Sequence, residues 1–165
     1  YNASAGMHNY RTVTYTIVGV QAKYHIGQKH NLHKENRRDR IMELKYYICE
    51  HCGNIITKLK DSKVPVMCCG QKMNELVAGT TDAAVEKHVP VYEVKDNKVS
   101  VQVGSVEHPM VEEHYIEWID VQTSQGFQHK VLNPGDKPQA CFSLCEGETV
   151  EAVYAYCNLH GLWKA

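Results

Sequence analysis

The chain has 165 residues, of which 43% are hydrophobic and 22% charged. That composition supports a buried core and excludes disorder along the whole chain. No apolar run approaches the roughly 18 residues of a membrane span. The net charge of −1 hides an uneven split. Residues 1–40 carry seven Lys/Arg against two Asp/Glu, and residues 41–165 carry eleven against seventeen. All four arginines (Arg11, Arg37, Arg38, Arg40) lie in the first stretch, and all seven cysteines and five prolines in the second.

In chain order, the first signal is an alternation of Val13, Tyr15 and Ile17 with Thr12, Thr14 and Thr16, which predicts a short strand. The surrounding Val13–Val20 stretch holds two threonines and a tyrosine, a poor apolar core for a signal peptide. The polar, basic run from Gln28 to Arg40, with His30 and His33, reads as a solvated tail rather than a nucleic-acid arm, so no nucleic-acid partner is expected. Met42 opens a new composition and is a candidate natural start, which makes 1–41 a basic extension of open role.

Residues 42–78 hold short strand-like segments around Cys49-x-x-Cys52 and, fifteen residues on, the adjacent pair Cys68-Cys69. Turn signals stand at Gly53-Asn54 and Gly70. Two close pairs at that separation fit four thiolates on one metal. A segment this short cannot hold itself together by apolar burial, and a metal cross-link supplies what the core lacks. Tetrahedral iron and zinc both suit four thiolates. The vicinal pair predicts a distorted turn and a less regular tetrahedron. His51 is expected to face solvent. Thiols used in this way must stay reduced, which points to the cytoplasm.

Residues 78–82 read as a linker. Beyond it, 89–94, 98–104, 114–121 and 150–156 alternate with period two, with turns at Asp96-Asn97, Asn133-Pro-Gly-Asp136 and Glu146-Gly147. Several short strands and no long helix predict an all-β sandwich. The same region disperses His88, His108, His114, Cys157 and His160, which could meet at a second metal. Taken singly, each histidine is more often a surface or satisfied core residue than a ligand. Cys141 and Cys145 are read as small core residues and His129 as a surface residue.

Four motifs then carry a resemblance: Glu86-Lys87-His88-Val-Pro-Val, Val106-Glu-His108-Pro-Met, Glu113-His114-Tyr-Ile-Glu-Trp118 and Cys157-Asn-Leu-His160-Gly-Leu-Trp163. They resemble those of the desulfoferrodoxins, the two-iron superoxide reductases. Tyr47-Ile-Cys49-Glu-His-Cys52-Gly-Asn-Ile is similar to the desulforedoxin module that precedes the catalytic domain in that family. The resemblance covers 42–165; residues 1–41 have no counterpart in it.

It implies a desulforedoxin-like module at 42–78 and, at 79–165, an immunoglobulin-like β-sandwich, usually in a homodimer. It implies two irons per chain. One is held by Cys49, Cys52, Cys68 and Cys69, where zinc is also possible. The catalytic iron takes four equatorial histidines, at positions matching His88, His108, His114 and His160, and axial Cys157. The sixth position is left for superoxide and is closed by Glu86 in the oxidised state, with Lys87 a positive charge at the mouth. The reaction implied is one-electron reduction of superoxide to hydrogen peroxide, with a rubredoxin-like donor restoring the iron. Two rivals remain from the residues alone. One is a non-catalytic electron carrier of the blue-copper kind, which four histidines and a cysteine overfill. The other is a zinc-knuckle binding protein, supported only by the basic first 40 residues.

Overall fold

A computed structural model describes residues 11–17, 20–26 and 43–165. The chain divides into two units, Tyr1–Ile41 and Met42–Ala165. In the first, β1 (Arg11–Ile17) pairs antiparallel with β2 (Val20–Ile26), and Val13 stands opposite Tyr24. The strand expected from the Val/Thr alternation is therefore present. The Gln28–Arg40 run and Met42 lie outside the described residues.

The second unit begins with strands of only two or three residues. These are β3 (Tyr46–Ile48), β4 (Ile55–Thr57), β5 (Met67–Cys68), β6 (Gln71–Lys72) and β7 (Asn74–Leu76). β3 is central in a three-stranded sheet between β4 and β7, and β5 and β6 form a separate hairpin. A single helical turn, α1 (Val85–His88), then leads into β8 (Pro90–Lys95) and β9 (Lys98–Val103). Asp96 and Asn97 join these two with φ of 49° and 59°, the left-handed pair a two-residue hairpin requires. β10 (Ile116–Thr123), β11 (Gly126–Val131), β12 (Gln139–Ser143), β13 (Val150–Cys157) and β14 (Gly161–Lys164) complete the unit.

Two antiparallel sheets result, a four-stranded one ordered β11-β10-β13-β14 and a three-stranded one ordered β12-β9-β8. The core between them is aliphatic: Val99, Val101 and Val103 meet Ile119, Val121, Val153 and Ala155, with Phe142 and Cys157. This is the all-β sandwich expected. Among the described residues no helix is long and apolar enough to cross a membrane.

β10 and β13 depart from simple alternation, because both of their faces are buried. Their outer residues Trp118, Tyr154 and Tyr156 pack against Tyr46, flanked by Leu44, Ile55, Leu76 and Ala78. The Tyr46 hydroxyl donates to Asp120 Oδ2 at 2.7 Å, and Leu44 N–H donates to Gln122 Oε1 at 3.0 Å. The 78–82 stretch is tied down too, with Gly79 N–H donating to Leu162 O at 2.8 Å. Short strands that could not stand alone thus cap the outer face of a sheet that can.

One expectation needs correction. Cys141 and Cys145 are exposed rather than in the core. Strand alternation gives the inward position to Phe142, so Cys141 shares the outer face with Ser100, opposite it on β9. Cys145 follows Leu144 into the turn at Glu146-Gly147. His129 is exposed, as expected, and its Nδ1–H donates to the buried Asp120.

Candidate metal centres

The first cluster grows out of β3. Cys49 directly follows that strand, Gly53 N–H donates back to Cys49 O at 2.8 Å, and Cys49 N–H donates to Asn54 O at 2.9 Å. This knuckle turns the chain so that Cys52 faces Cys49. Cys68 ends β5, and Cys69 and Gly70 follow with φ of 48° and 77°. A left-handed cysteine is uncommon, and here it swings the second of two adjacent thiols to the same point as the first. The distorted turn expected at the vicinal pair is present.

The four sulfurs lie within 4.8 Å of one another. Cys52 and Cys68 are 3.6 Å apart, Cys68 and Cys69 3.9 Å. A tetrahedron with ~2.3 Å metal–sulfur bonds has edges of roughly 3.8 Å, so the cage has the right size. The Cys52 backbone N–H is the main cause that lowers the Cys49 thiol to about 6. Hydrogen bonding with Cys52 and Cys68 pushes Cys69 up to about 12. Sulfurs this close cannot all ionise without a cation among them. Cys49 is buried, whereas Cys52 and Cys69 are exposed, so one edge of the cage meets solvent. His51 is exposed, as expected.

The second cluster sits at one end of the sandwich. His88 closes α1, His108 and His114 lie on the loop into β10, Cys157 ends β13, and His160 lies in the turn to β14. One donor atom from each falls within 4.8 Å of all the others. The imidazoles form a quadrilateral with centroid separations of 4.7, 4.5, 4.8 and 4.7 Å in the order His88, His108, His114, His160 and back to His88. Neighbouring rings stand at 76–81° to each other, and the His88–His114 diagonal is 6.1 Å. His88 Nε2 and His160 Nδ1 are 2.9 Å apart. Two nitrogens bound at right angles to one ion at ~2.1 Å stand roughly 3.0 Å apart. His160 Nδ1 is also 3.6 Å from the Cys157 sulfur.

Backbone carbonyls set the tautomers. His88 Nδ1–H donates to Ala84 O at 2.7 Å and His108 Nδ1–H to Pro109 O at 2.6 Å, which leaves each Nε2 a free lone pair. The Nε2 atoms of His108 and His114 are buried and have no hydrogen-bond partner. Burying such groups unpaired costs about 1–3 kcal/mol each, and an ion among the rings removes that cost. Burial also keeps the rings neutral, lowering His88 and His114 and taking His108 down to about 4. For Cys157 burial raises the thiol pKa, partly countered by the backbone N–H groups of Leu159 and His160. A cation is what would hold that sulfur as a thiolate. The donor set therefore fits iron.

Glu86 and Lys87 are both exposed on α1. The Glu86 carboxylate is not among the converging donor atoms. The Lys87 charge reaches His88 and His114, disfavouring their protonation.

Several supporting residues had no role in the sequence reading. Trp163 stacks on His88 with centroids 4.8 Å apart and donates its Nε1–H to His160 O at 3.1 Å, steadying two of the four imidazoles. Gly104, with φ of 81°, lies directly beneath the Lys87 carbonyl. A Cβ there would meet Lys87 O at 2.6 Å and overlap Val106 O. Its signal in the sequence was a glycine straight after an alternating strand.

The comparisons agree with this geometry. The family model described as Desulfoferrodoxin matches residues 80–165. The desulfoferrodoxin of Syntrophotalea carbinolica is 48% identical over 123 residues, covering 74% of this chain and 96% of its own length. That of Nitratidesulfovibrio vulgaris is 47% identical over 119 residues, 72% of this chain and 93% of its own. Among solved structures, the superoxide reductase of Treponema pallidum superposes with a TM-score of 0.65 at 37% identity, over 75% of this chain and 99% of that one. The chain belongs to the desulfoferrodoxin family.

Proposed function

We propose that the protein is a superoxide reductase, taking superoxide to hydrogen peroxide with one electron and two protons. The observation that carries this reading is the convergence of four imidazoles and one buried cysteine at a single point. A blue-copper centre uses two histidines and one cysteine, so the extra imidazoles speak against a simple electron carrier. When bound, iron supplies the electron and a coordination position for the anion.

The chain's own residues do the rest. His88, His108, His114 and His160 hold the metal without adding negative charge that would repel an anion. Cys157 donates electron density through sulfur, as a thiolate does in thiolate-ligated haem proteins. Lys87, exposed at the mouth, draws superoxide in. Glu86, its neighbour on α1, would supply the carboxylate that shields the oxidised metal from added anions. Their exposure gives the solvent access through which two protons arrive.

Residues 42–78 act as a second, four-cysteine iron module and 79–165 as the catalytic domain. A rubredoxin-like protein is the donor and a homodimer the assembly. Free cysteines throughout 43–165 support a cytoplasmic location.

The test is iron content together with superoxide consumption, scored for peroxide formed and dioxygen not formed. Two irons per chain and peroxide without dioxygen support the reading; zinc or copper in the histidine site, or dioxygen release, rejects it. Cys157→Ser should abolish the sulfur-to-iron charge-transfer absorption and most of the activity. Retention of both would assign the sulfur ligand to another residue.

A further inference from the structure

The four imidazoles are not held alike. His88 and His108 each have a ring nitrogen tied to a carbonyl, and the His160 carbonyl is tied to Trp163. No hydrogen bond reaches the His114 ring among the described residues, so its peptide groups alone place it. Those groups are pinned from one direction. Asn158 Nδ2–H donates to Glu113 O at 3.1 Å, and Tyr115 N–H donates to Asn158 Oδ1 at 3.0 Å. Asn158 N–H adds a third bond to Tyr115 O at 3.2 Å. One side-chain amide therefore grips the residue before His114 and the residue after it, and is itself the next residue after Cys157. On the far side, His114 and Val111 exchange two backbone hydrogen bonds of 3.0 Å, which close the loop but do not tie it to the sandwich.

We infer that Asn158 is the positioning residue for His114, the staple that fixes this imidazole against the Cys157 turn. The chemistry selects asparagine. Only a primary amide offers a donor and an acceptor on one short, planar group, and the two flanking peptides present one of each. Aspartate accepts from Tyr115 but cannot donate to Glu113; alanine does neither. Once the amide is lost, the peptides on either side of His114 lose both side-chain bonds and keep only the backbone bond from Asn158 N–H to Tyr115 O and the bridge to Val111, so the quadrilateral loosens at one corner. Partners that hold a ligand from outside the coordination shell change metal affinity by about 10- to 100-fold when removed. The inference rests on the iron-centre reading of the site.

The experiment uses the full chain loaded with iron, with Asn158→Ala and Asn158→Asp beside the parent. Each is challenged with a chelator while the charge-transfer absorption of the histidine site and the iron at the four cysteines are followed separately. Asn158→Ala should release the histidine-site iron about 10- to 100-fold faster. Its charge-transfer band should shift before any loss, and the four-cysteine iron should leave at the parent rate. Asn158→Asp should fall between the two. Parent-like release and an unshifted band in both variants overturn the inference. So does loss of both irons together in Asn158→Asp, which would make the residue a general support of the fold. A parent chain with no iron at the histidines overturns the metal reading itself, and that result precedes any substitution.

Discussion

The two metal clusters sit in one compact unit yet are built in opposite ways. Around the four cysteines the strands are two or three residues long, two of the thiols are exposed, and the aligning features are turns. Around the histidines the strands run to eight residues, three of the five donor residues are buried, and carbonyls orient the rings. The first arrangement needs its metal in order to be a structure. The second is a structure with room prepared for a metal. Cross-linking and preorganisation are thus separate solutions, and the chain uses each where its core permits.

The sharpest way to break that contrast is to take the metal from the module. Structural metal sites supply on the order of 10 kcal/mol of folding free energy. Cys69→Ser should therefore strip amide-exchange protection from 46–76 while β9, β10 and β13 keep theirs. Most superoxide reduction should survive, because no catalytic ligand lies in the module. Protection lost in both regions would show a single cooperative block. The converse test is Gly104→Ala. A side chain there faces strained φ and two backbone oxygens, a cost of about 3 kcal/mol or more. Thermal unfolding of the sandwich should drop by several degrees and the histidine iron should loosen, with the four-cysteine iron untouched.

How much of this was legible in the sequence differs between the two regions as well. Cys49, Cys52, Cys68 and Cys69 announce themselves by spacing, and the dispersed histidines do so only through the motifs around them. The strands of 90–103 and 150–157 follow from alternation. The burial of Asp120, Gln122 and Tyr154 does not. Alternation assigns them to a wet outer face, and only the docking of Tyr46 and Leu44 makes that face an interior. The exposure of Cys141 escaped for a related reason. Apolar character suggests burial, but position along a pleated strand decides it, and Phe142 holds the inward place.

Tyr46→Phe probes the seam between the regions. Asp120 is almost fully buried, and losing a hydrogen bond to a carboxylate costs about 1.5–3 kcal/mol. Stability measured by denaturant should fall by roughly that amount, with both irons retained; no change would mean that His129 alone satisfies the carboxylate. The smallest expected effect concerns Lys87, whose charge is screened by solvent. Lys87→Ala should slow superoxide capture by about tenfold and flatten its salt dependence. Glu86→Ala should leave capture by the reduced enzyme nearly unchanged and let added anions bind the oxidised iron more readily. Equal slowing in both variants would remove the electrostatic assignment and leave the ligands standing.

The packing of Tyr46 into Trp118, Tyr154 and Tyr156 also bears on solubility. Trp118 stacks on Tyr156 with rings 6° from parallel, forming a broad aromatic surface under the module. A chain made while iron is scarce would fold its sandwich and present that surface to water, and such patches draw chains together. The module's iron then governs whether newly made molecules stay dispersed, apart from anything it does for electrons. Light scattering of the iron-free protein, before and after iron is restored, reads this directly.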